Sequence, residues 1–186
     1  MLFRSNPDAL AALIRALYRA AKWCGAPGNV AEAAATLARA QYLDMPADLI
    51  ERGLSGRIES AAGAATLVPD FFIPHARAAT FPWVSHALWF YSQMARWGHV
   101  QHSADNARRA AACYRPDLYR AALAPLGVPV PSASSKVEGA LLHPTPVGAT
   151  RGSLSLGPDG FFDGRVFDPE EIEAYIADQA RASAAA

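Results

Sequence analysis

The chain lacks an excess of charge of either sign. Its 186 residues include 17 Lys and Arg and 17 Asp and Glu, so the formal net charge is zero. Proteins that bind nucleic acid or anionic membranes through charge need a surplus of Lys and Arg. The composition therefore excludes a general nucleic-acid binder and a polybasic membrane binder, and we expect no direct nucleic-acid partner.

Cysteines and long apolar runs are also scarce. The two cysteines, Cys24 and Cys113, have no metal-binding spacing and are interpreted as free thiols. No apolar run approaches the length of a bilayer span, so we expect no membrane span. The first residues do not form a secretory signal, because Asp8, Arg15 and Arg19 interrupt the apolar region. The chain as written is predicted to be cytoplasmic, or periplasmic if an export signal precedes this sequence.

Motifs for catalysis are missing as well. The sequence has no Gly-x-Ser-x-Gly nucleophile elbow, and its glycine-rich stretches lack the phosphate-loop pattern and its lysine. His99, His102 and Asp105 lie close in sequence, but a zinc site needs three or four well-placed ligands. His75 and His143 stand beside prolines and are interpreted as solvated loop residues. We therefore predict no enzyme, no catalytic residue, no metal and no cofactor.

The chain is rich in alanine and in helical periodicity. Hydrophobic residues make up 52% of the sequence, and in several segments they recur at helical spacing. Pro7 and Gly25 suit the first position and the exit of the first helix. Capping boxes are predicted at Asn29 with Glu32, and at Asp168, which caps the last helix. The predicted helices lie in SNPDALAALIRALYRAAKWCG, NVAEAAATLARAQYL, PADLIERGL, SHALWFYSQMARW, SADNARRAAACY, PDLYRAALAPLG and DPEEIEAYIADQARA.

Prolines limit regular structure elsewhere. Pro69, Pro74 and Pro82 forbid a long helix in the middle of the chain. Residues 128–136 form a Pro/Ser-rich segment that is predicted to be a surface linker. Glycine and proline between residues 137 and 168 favour loops with one or two short strands. The predicted fold class is mostly α with few short strands, in a single partial domain that covers residues 1–186.

The stretch ATFPWVSHALWFYSQMARWGH, residues 79–99, holds three of the four tryptophans. As a helix it is apolar nearly all round, which is typical of a helix buried on most sides. Core packing is the favoured interpretation, and a ligand cleft or a partner surface remains open. Ser85, His86 and Trp89 are the candidate residues for contact with a ligand or partner.

Four stretches, taken in order, resemble one family. NPDALAALIRALYRAAKWCG, FPWVSHALWFYSQMARWGHV, YRPDLYRAALAPLGVPVP and FFDGRVFDPEEIEAYI are similar to the C-terminal part of nitrate-type solute-binding proteins. The resemblance covers the chain from about Phe3 to Ile176. It implies the C-terminal portion of a two-lobed α/β periplasmic-binding-protein-like (type II) fold, which holds a small anion between its lobes. Most of the residues that contact the anion in that family are expected upstream of Met1, and no anion-contacting residue is assigned here by resemblance.

Two branches of this family compete. The stretch ATFPWVSHALWFYSQMARWG followed by SSKVEGALL looks more like a cytoplasmic nitrate/nitrite sensor that controls an RNA-binding antiterminator protein. That resemblance implies a non-enzymatic fragment that acts in the regulation of nitrate assimilation. The alternatives are the substrate-binding component of a nitrate- or bicarbonate-type ABC importer and a small helical interaction domain.

Overall fold

The helices and strands of the chain fall into two groups along the sequence. The computed structural model describes residues 5–59 and 63–184. The smaller compact unit is Ala12–Thr80, and the larger comprises Met1–Ala11 together with Phe81–Ala186. The prediction of one domain over residues 1–186 stays a prediction.

The smaller unit is built from short helices and one hairpin. Its elements are α1 (Pro7–Cys24, which begins in the larger unit), α2 (Val30–Leu37), α3 (Ala47–Leu54), β1 (Arg57–Glu59) and β2 (Ala65–Leu67). Helix α2 packs against α3. The two strands pair antiparallel, with Arg57 opposite Leu67 and Glu59 opposite Ala65. Two single turns of 3-10 helix, Pro27–Asn29 and Ala76–Ala78, complete the unit.

The larger unit carries four helices and a second hairpin in its described part. They are α4 (Val84–Arg96), α5 (Ala104–Ala111), α6 (Pro116–Leu123), β3 (Thr145–Val147), β4 (Leu154–Leu156) and α7 (Ile172–Ala184). Helix α4 packs against both α5 and α7. Strands β3 and β4 pair antiparallel, with Thr145 opposite Leu156. This inventory confirms the predicted class, mostly α with few short strands.

Two predicted capping boxes are wrong, and in each case the backbone explains the error. Asn29 has helical φ and ψ angles and its side chain caps nothing; its Nδ2 instead donates to the carbonyl of Trp23 at 2.9 Å. Asp168 accepts a hydrogen bond from the N–H of Glu170 at 3.0 Å, but in a turn that precedes α7. Ser103 does cap a helix: its hydroxyl accepts a hydrogen bond from the N–H of Asn106 at 3.1 Å at the start of α5.

The aromatic stretch 79–99 is only partly core. Phe81, Trp83 and Tyr91 are buried, and the rings of Phe81 and Trp83 meet edge to face with centroids 4.7 Å apart. Aromatic pairs in this arrangement add stabilisation beyond their buried area. Most of α4 is buried or half-buried, but one stripe is not: Phe90 and Met94 of α4, and Trp97 directly after it, are exposed at helical spacing.

The Pro/Ser-rich segment 128–136 is held to the larger unit by backbone contacts. Val130 and Pro131 are buried in it. The guanidinium of Arg120 donates from Nε to the carbonyl of Pro131 at 2.8 Å and from Nη2 to that of Ser132 at 2.9 Å. The segment is therefore an ordered connection in the structure, and its role as a linker stays a prediction.

Helix length and polarity bear on the membrane prediction. Among residues 5–59 and 63–184, no helix is both long and apolar enough to cross a bilayer. The longest of the labelled helices, α1, has 18 residues and is interrupted by charged side chains such as Arg15 and Arg19.

Phe167 is the most deeply buried large side chain, so its removal tests the core of the larger unit. It is 0% exposed and meets the ring of Tyr175 edge to face at 5.0 Å. We expect Phe167→Ala to lower the free energy of unfolding by about 3–5 kcal/mol, because it removes the buried ring and leaves a cavity. Chemical denaturation followed by circular dichroism measures the change.

Phe162 supplies the matched control, since it is the same residue type five positions away and fully exposed. Phe162→Ala should change the free energy of unfolding by no more than about 0.5 kcal/mol. Equal losses in the two variants would contradict the assignment of Phe167 to the core.

Candidate functional site

A buried carboxylate organises the polar groups at the start of α4. Glu138 is 5% exposed. The hydroxyl of Ser85 donates to its Oε1 at 2.5 Å, and the Nε2 of His86 lies 3.3 Å from its Oε2. The ammonium of Lys136 also contacts Oε2. A carboxylate removed from water is stabilised only when it is paired and hydrogen-bonded, and here three donors meet that requirement.

Lys136 extends this network to a second carboxylate. Its Nζ lies 2.5 Å from Oδ2 of Asp159 and 5.9 Å from the centre of the Trp83 ring. The other oxygen of Asp159 accepts a hydrogen bond from the N–H of Leu141 at 2.9 Å. The network therefore joins the start of α4 to the chain around Lys136 and to the loop after β4.

Backbone hydrogen bonds fix the elements that carry these side chains. Trp83 is extended and ends the segment before α4, which places Ser85 in the first turn of the helix. The N–H of Val84 donates to the carbonyl of Ser134 at 2.9 Å. Glu138 exchanges two hydrogen bonds of 2.9 Å with Phe167, so the carboxylate is presented from a short bridge between two chain segments.

Gly139 allows the chain to turn directly after Glu138. Its φ is +82°, a conformation that other residues rarely adopt. A Cβ at this position would stand 2.7 Å from the carbonyl oxygen of Arg165. Both observations explain why glycine follows the buried carboxylate in this sequence.

Burial and hydrogen bonding act in opposite directions on the pKa of Glu138. Burial raises the pKa, because it disfavours the charged form. Hydrogen bonds from His86, Lys136 and Ser85 lower it, and together they leave the pKa below its ordinary value. Glu138 is therefore an anion near neutral pH and serves as a fixed acceptor.

The residues Ser85, His86 and Glu138 include the types of a hydrolytic triad, but their connections differ from those of one. In a triad the histidine lies between the serine and the carboxylate and accepts the serine proton. Here Ser85 donates directly to Glu138, and His86 contacts the same carboxylate. Ser85 is also 0% exposed. The arrangement supports no activated nucleophile and acts as a brace.

Trp89 lies one turn further along α4 and makes different contacts. Its indole N–H donates to the hydroxyl of Tyr175 in α7 at 3.3 Å. Its ring stacks on Phe161 with centroids 5.5 Å apart and an angle of 27° between the planes. The half-buried indole thus joins α4 to α7 and to the loop after β4.

The structure divides the three predicted contact residues. Ser85 and His86 meet at Glu138, whereas Trp89 contacts Tyr175 and Phe161. Ser85 is fully buried, so a direct contact with a ligand or partner is left to His86, whose side chain is 42% exposed, and to Trp89. That role stays a prediction for all three residues.

Sequence reasoning missed Glu138, Lys136 and Asp159. Glu138 lies 53 residues after Ser85, and Asp159 lies 23 after Lys136. No periodicity or short motif connects positions so far apart. The sequence offered only a weak signal: Lys136 and Glu138, separated by one residue, lie in a stretch otherwise made of small and apolar residues.

The remaining histidines of the larger unit form no metal centre in the described residues. The Nδ1 of His102 lies 3.1 Å from the hydroxyl of Tyr91, and its Nε2 lies 3.7 Å from Glu173. His99 contacts the ring of Trp97. Within residues 5–59 and 63–184, no group of three or more His, Cys, Asp or Glu side chains has the spacing to hold a metal ion.

Comparison with known proteins identifies relatives along nearly the whole chain. No protein-family model matches it. It is 30% identical over 174 residues to the nitrate/nitrite binding protein NrtA of Synechococcus elongatus, a match that covers 92% of this chain and 35% of that protein. It is 27% identical over 180 residues to the bicarbonate-binding protein CmpA of the same organism, with 92% of this chain and 36% of that protein covered.

A third relative is the nitrate import ATP-binding protein NrtC of Synechocystis, which is 28% identical over 166 residues. That match covers 89% of this chain and 22% of the relative. The chain thus spans about a third or less of the length of the curated relatives it matches.

The fold has a counterpart of known structure. The crystal structure of the periplasmic nitrate-binding protein NrtA from Synechocystis matches with a TM-score of 0.75 and 25% sequence identity. The match covers 96% of this chain and 42% of that protein. This likeness confirms the fold expected from the resemblance, a portion of a type II binding-protein fold.

The lowered pKa of Glu138 predicts how stability depends on pH. The ionised network stabilises the fold above the pKa of an unfolded glutamate, about 4.3, and this contribution is lost as pH falls through the lower folded pKa. We expect Glu138→Gln to lower the free energy of unfolding by about 1–3 kcal/mol at neutral pH. The difference from wild type should shrink in urea denaturation as pH falls from about 5 through the lowered folded pKa.

Glu170 is the control for this experiment, because its side chain is exposed. Glu170→Gln should change the free energy of unfolding by less than about 0.5 kcal/mol. A loss in Glu138→Gln that stays constant over this pH range would show that the charge of Glu138 does not stabilise the fold.

Proposed function

We propose that this chain supplies the C-terminal part of an anion-binding component of an importer. The chain belongs to the solute-binding proteins of nitrate- and bicarbonate-type ABC importers and corresponds to their C-terminal part. The observation that carries the proposal is the extent of the likeness. Sequence relatives cover 92% of the chain, and the structural match to a nitrate-binding protein covers 96% of it.

The importer interpretation has more support than the sensor interpretation that the sequence favoured. The relatives named above are binding proteins for nitrate, nitrite or bicarbonate and an ATP-binding protein of nitrate import. None of these three carries the name of a regulatory protein, and nothing in their names supports an RNA-binding antiterminator as partner. The structural relative is periplasmic, so the cytoplasmic location also lacks support.

The proposed ligand is a small inorganic anion of the nitrate, nitrite or bicarbonate type. Sites for such anions use backbone N–H groups, polar side chains and a positive charge. In the larger unit, the cation Lys136 contacts two carboxylates and is little exposed. The Glu138 network therefore serves the binding protein as a brace for α4. Of the three candidate contact residues, the half-buried His86 and Trp89 are the ones that can reach a ligand or partner.

The proposed component binds its anion without converting it. Binding changes the arrangement of the whole protein only to the extent that the anion prefers one arrangement over another. The braced start of α4 gives the component a rigid surface, because every polar partner of Glu138 is fixed by a second contact or by the helix.

A chimeric protein tests this function. Replacing the matched 42% of the Synechocystis nitrate-binding protein with this chain should give a protein that still binds nitrate, nitrite or bicarbonate. An anion at one hundred times its Kd stabilises the folded state by about 2.7 kcal/mol, which thermal unfolding detects as a raised Tm. Chloride at the same ionic strength is the control and should not raise the Tm.

The chimera also distinguishes the importer from the sensor. It should restore nitrate or bicarbonate uptake in cells that lack the corresponding binding protein. A cooperatively folded chimera that binds none of the three anions would refute the proposal. A chimera that binds an anion but restores no uptake would refute the importer role and favour the sensor.

A further inference from the structure

The smaller unit contains a pocket that the proposed function does not use. It has a volume of about 290 Å³ and lies wholly within residues 22–77. Three parts of the chain line it: the end of α1, the turn after α1, and most of residues 69–77, which lead into the 3-10 helix Ala76–Ala78. That volume suits an organic molecule of modest size.

The pocket lining has a net positive charge, because one of its two cations is paired with its only anion. Arg77 donates to both oxygens of Asp70, at 2.7 and 3.0 Å, and the two charges neutralise each other. Lys22 also lines the pocket, and the described part of the chain gives it no ion-pair partner. The ammonium of Lys22 is therefore the charge available to a ligand, and it selects an anionic group.

Backbone geometry holds the Arg77–Asp70 pair in place. Arg77 and Ala78 both have φ of +58°, a left-handed conformation that costs residues other than glycine free energy. Such conformations persist only where the surrounding contacts determine them. Arg77 and Asp70 both line the pocket, and their pairing keeps Asp70 from competing with a ligand for Lys22.

His75 contributes a polar atom that the fold leaves unsatisfied. Its ring packs edge to face on Tyr18 at 4.8 Å, so the prediction of a solvated loop histidine is wrong for His75. Its Nδ1 is buried and has no hydrogen-bond partner in the described structure. Burial, and then the nearby charge of Lys22, lower the pKa of His75, which keeps the ring neutral and able to donate one hydrogen bond.

Apolar groups complete the lining. Phe72, Ile73 and Pro74 lie on one stretch of chain, with Pro69 close before it. The ring of Phe72 is 41% exposed. An inorganic anion would fill a small part of the volume and leave this apolar wall in contact with water. A ligand with a charged end and an apolar body would cover it.

We propose that this pocket binds a small organic carboxylate, whose charged group pairs with Lys22 and accepts a hydrogen bond from His75 after a small turn of the ring, while its apolar body lies against Phe72 and Ile73. The proposal is independent of the importer function, since it depends only on groups within the smaller unit.

Titration of the full chain with benzoate tests the site. Benzoate joins a carboxylate to one aromatic ring and is the probe. We expect saturable binding by calorimetry, with amide NMR shifts concentrated at Lys22, Gly25 and Ala76. Lys22→Gln should weaken binding by about tenfold to a hundredfold, as loss of a charged hydrogen bond does. Arg19→Gln is the matched control, because Arg19 is an exposed cation of α1 outside the pocket lining, and it should bind like wild type.

A second variant separates binding from folding. His75→Phe keeps the ring against Tyr18 and removes the unsatisfied nitrogen. It should weaken benzoate binding by about threefold to tenfold without lowering the unfolding midpoint. A lowered midpoint with unchanged binding would assign His75 a structural role and overturn its part in the site.

Three results would overturn the proposal as a whole. They are the absence of saturable binding, equal effects of Lys22→Gln and Arg19→Gln in folded variants, and amide shifts that lie outside the pocket. Nitrate and bicarbonate are titrated in parallel. If either binds at this pocket and excludes benzoate, the site is one for inorganic anions and the carboxylate assignment is wrong.

Discussion

The buried carboxylate of Glu138 is the constraint on which the larger unit depends. A charge removed from water costs several kcal/mol unless donors surround it. Ser85, His86 and Lys136 supply those donors, and the backbone of Glu138 is held in turn by Phe167. Glu138 thus holds together three segments: the start of α4, the stretch around Lys136, and the stretch around Phe167 that precedes α7.

The two units differ in whether their charged side chains are paired within the fold. In the larger unit, Lys136 and Glu138 pair with each other and with further partners, so little of their charge is offered outward. In the smaller unit, the pocket retains the cation Lys22 and the Nδ1 of His75, neither of which has a partner among residues 5–59 and 63–184. Paired charges determine shape, whereas unpaired groups beside a cavity are available for recognition. The larger unit therefore serves the proposed binding protein mainly as a rigid frame.

Local chemistry in the sequence was a good guide to where the helices lie and a poor guide to how they are capped. Apolar periodicity, together with Pro7 and Gly25, placed α1 within a residue of its observed limits. The capping predictions failed because Asn29 has a helical backbone and Asp168 lies in a turn before α7. A cap requires particular φ and ψ angles as well as a suitable residue type, and the packing of neighbouring segments determines those angles.

By itself the sequence determined the mostly helical class, the absence of surplus charge and the resemblance to solute-binding proteins, since each depends on composition, spacing or the order of segments. It also drew attention to Ser85, His86 and Trp89. Only the tertiary structure decided what these residues contact. Glu138, Lys136 and Asp159 reach the start of α4 across tens of residues, and such contacts are set by the packing of distant segments, which leaves no periodic trace in the chain.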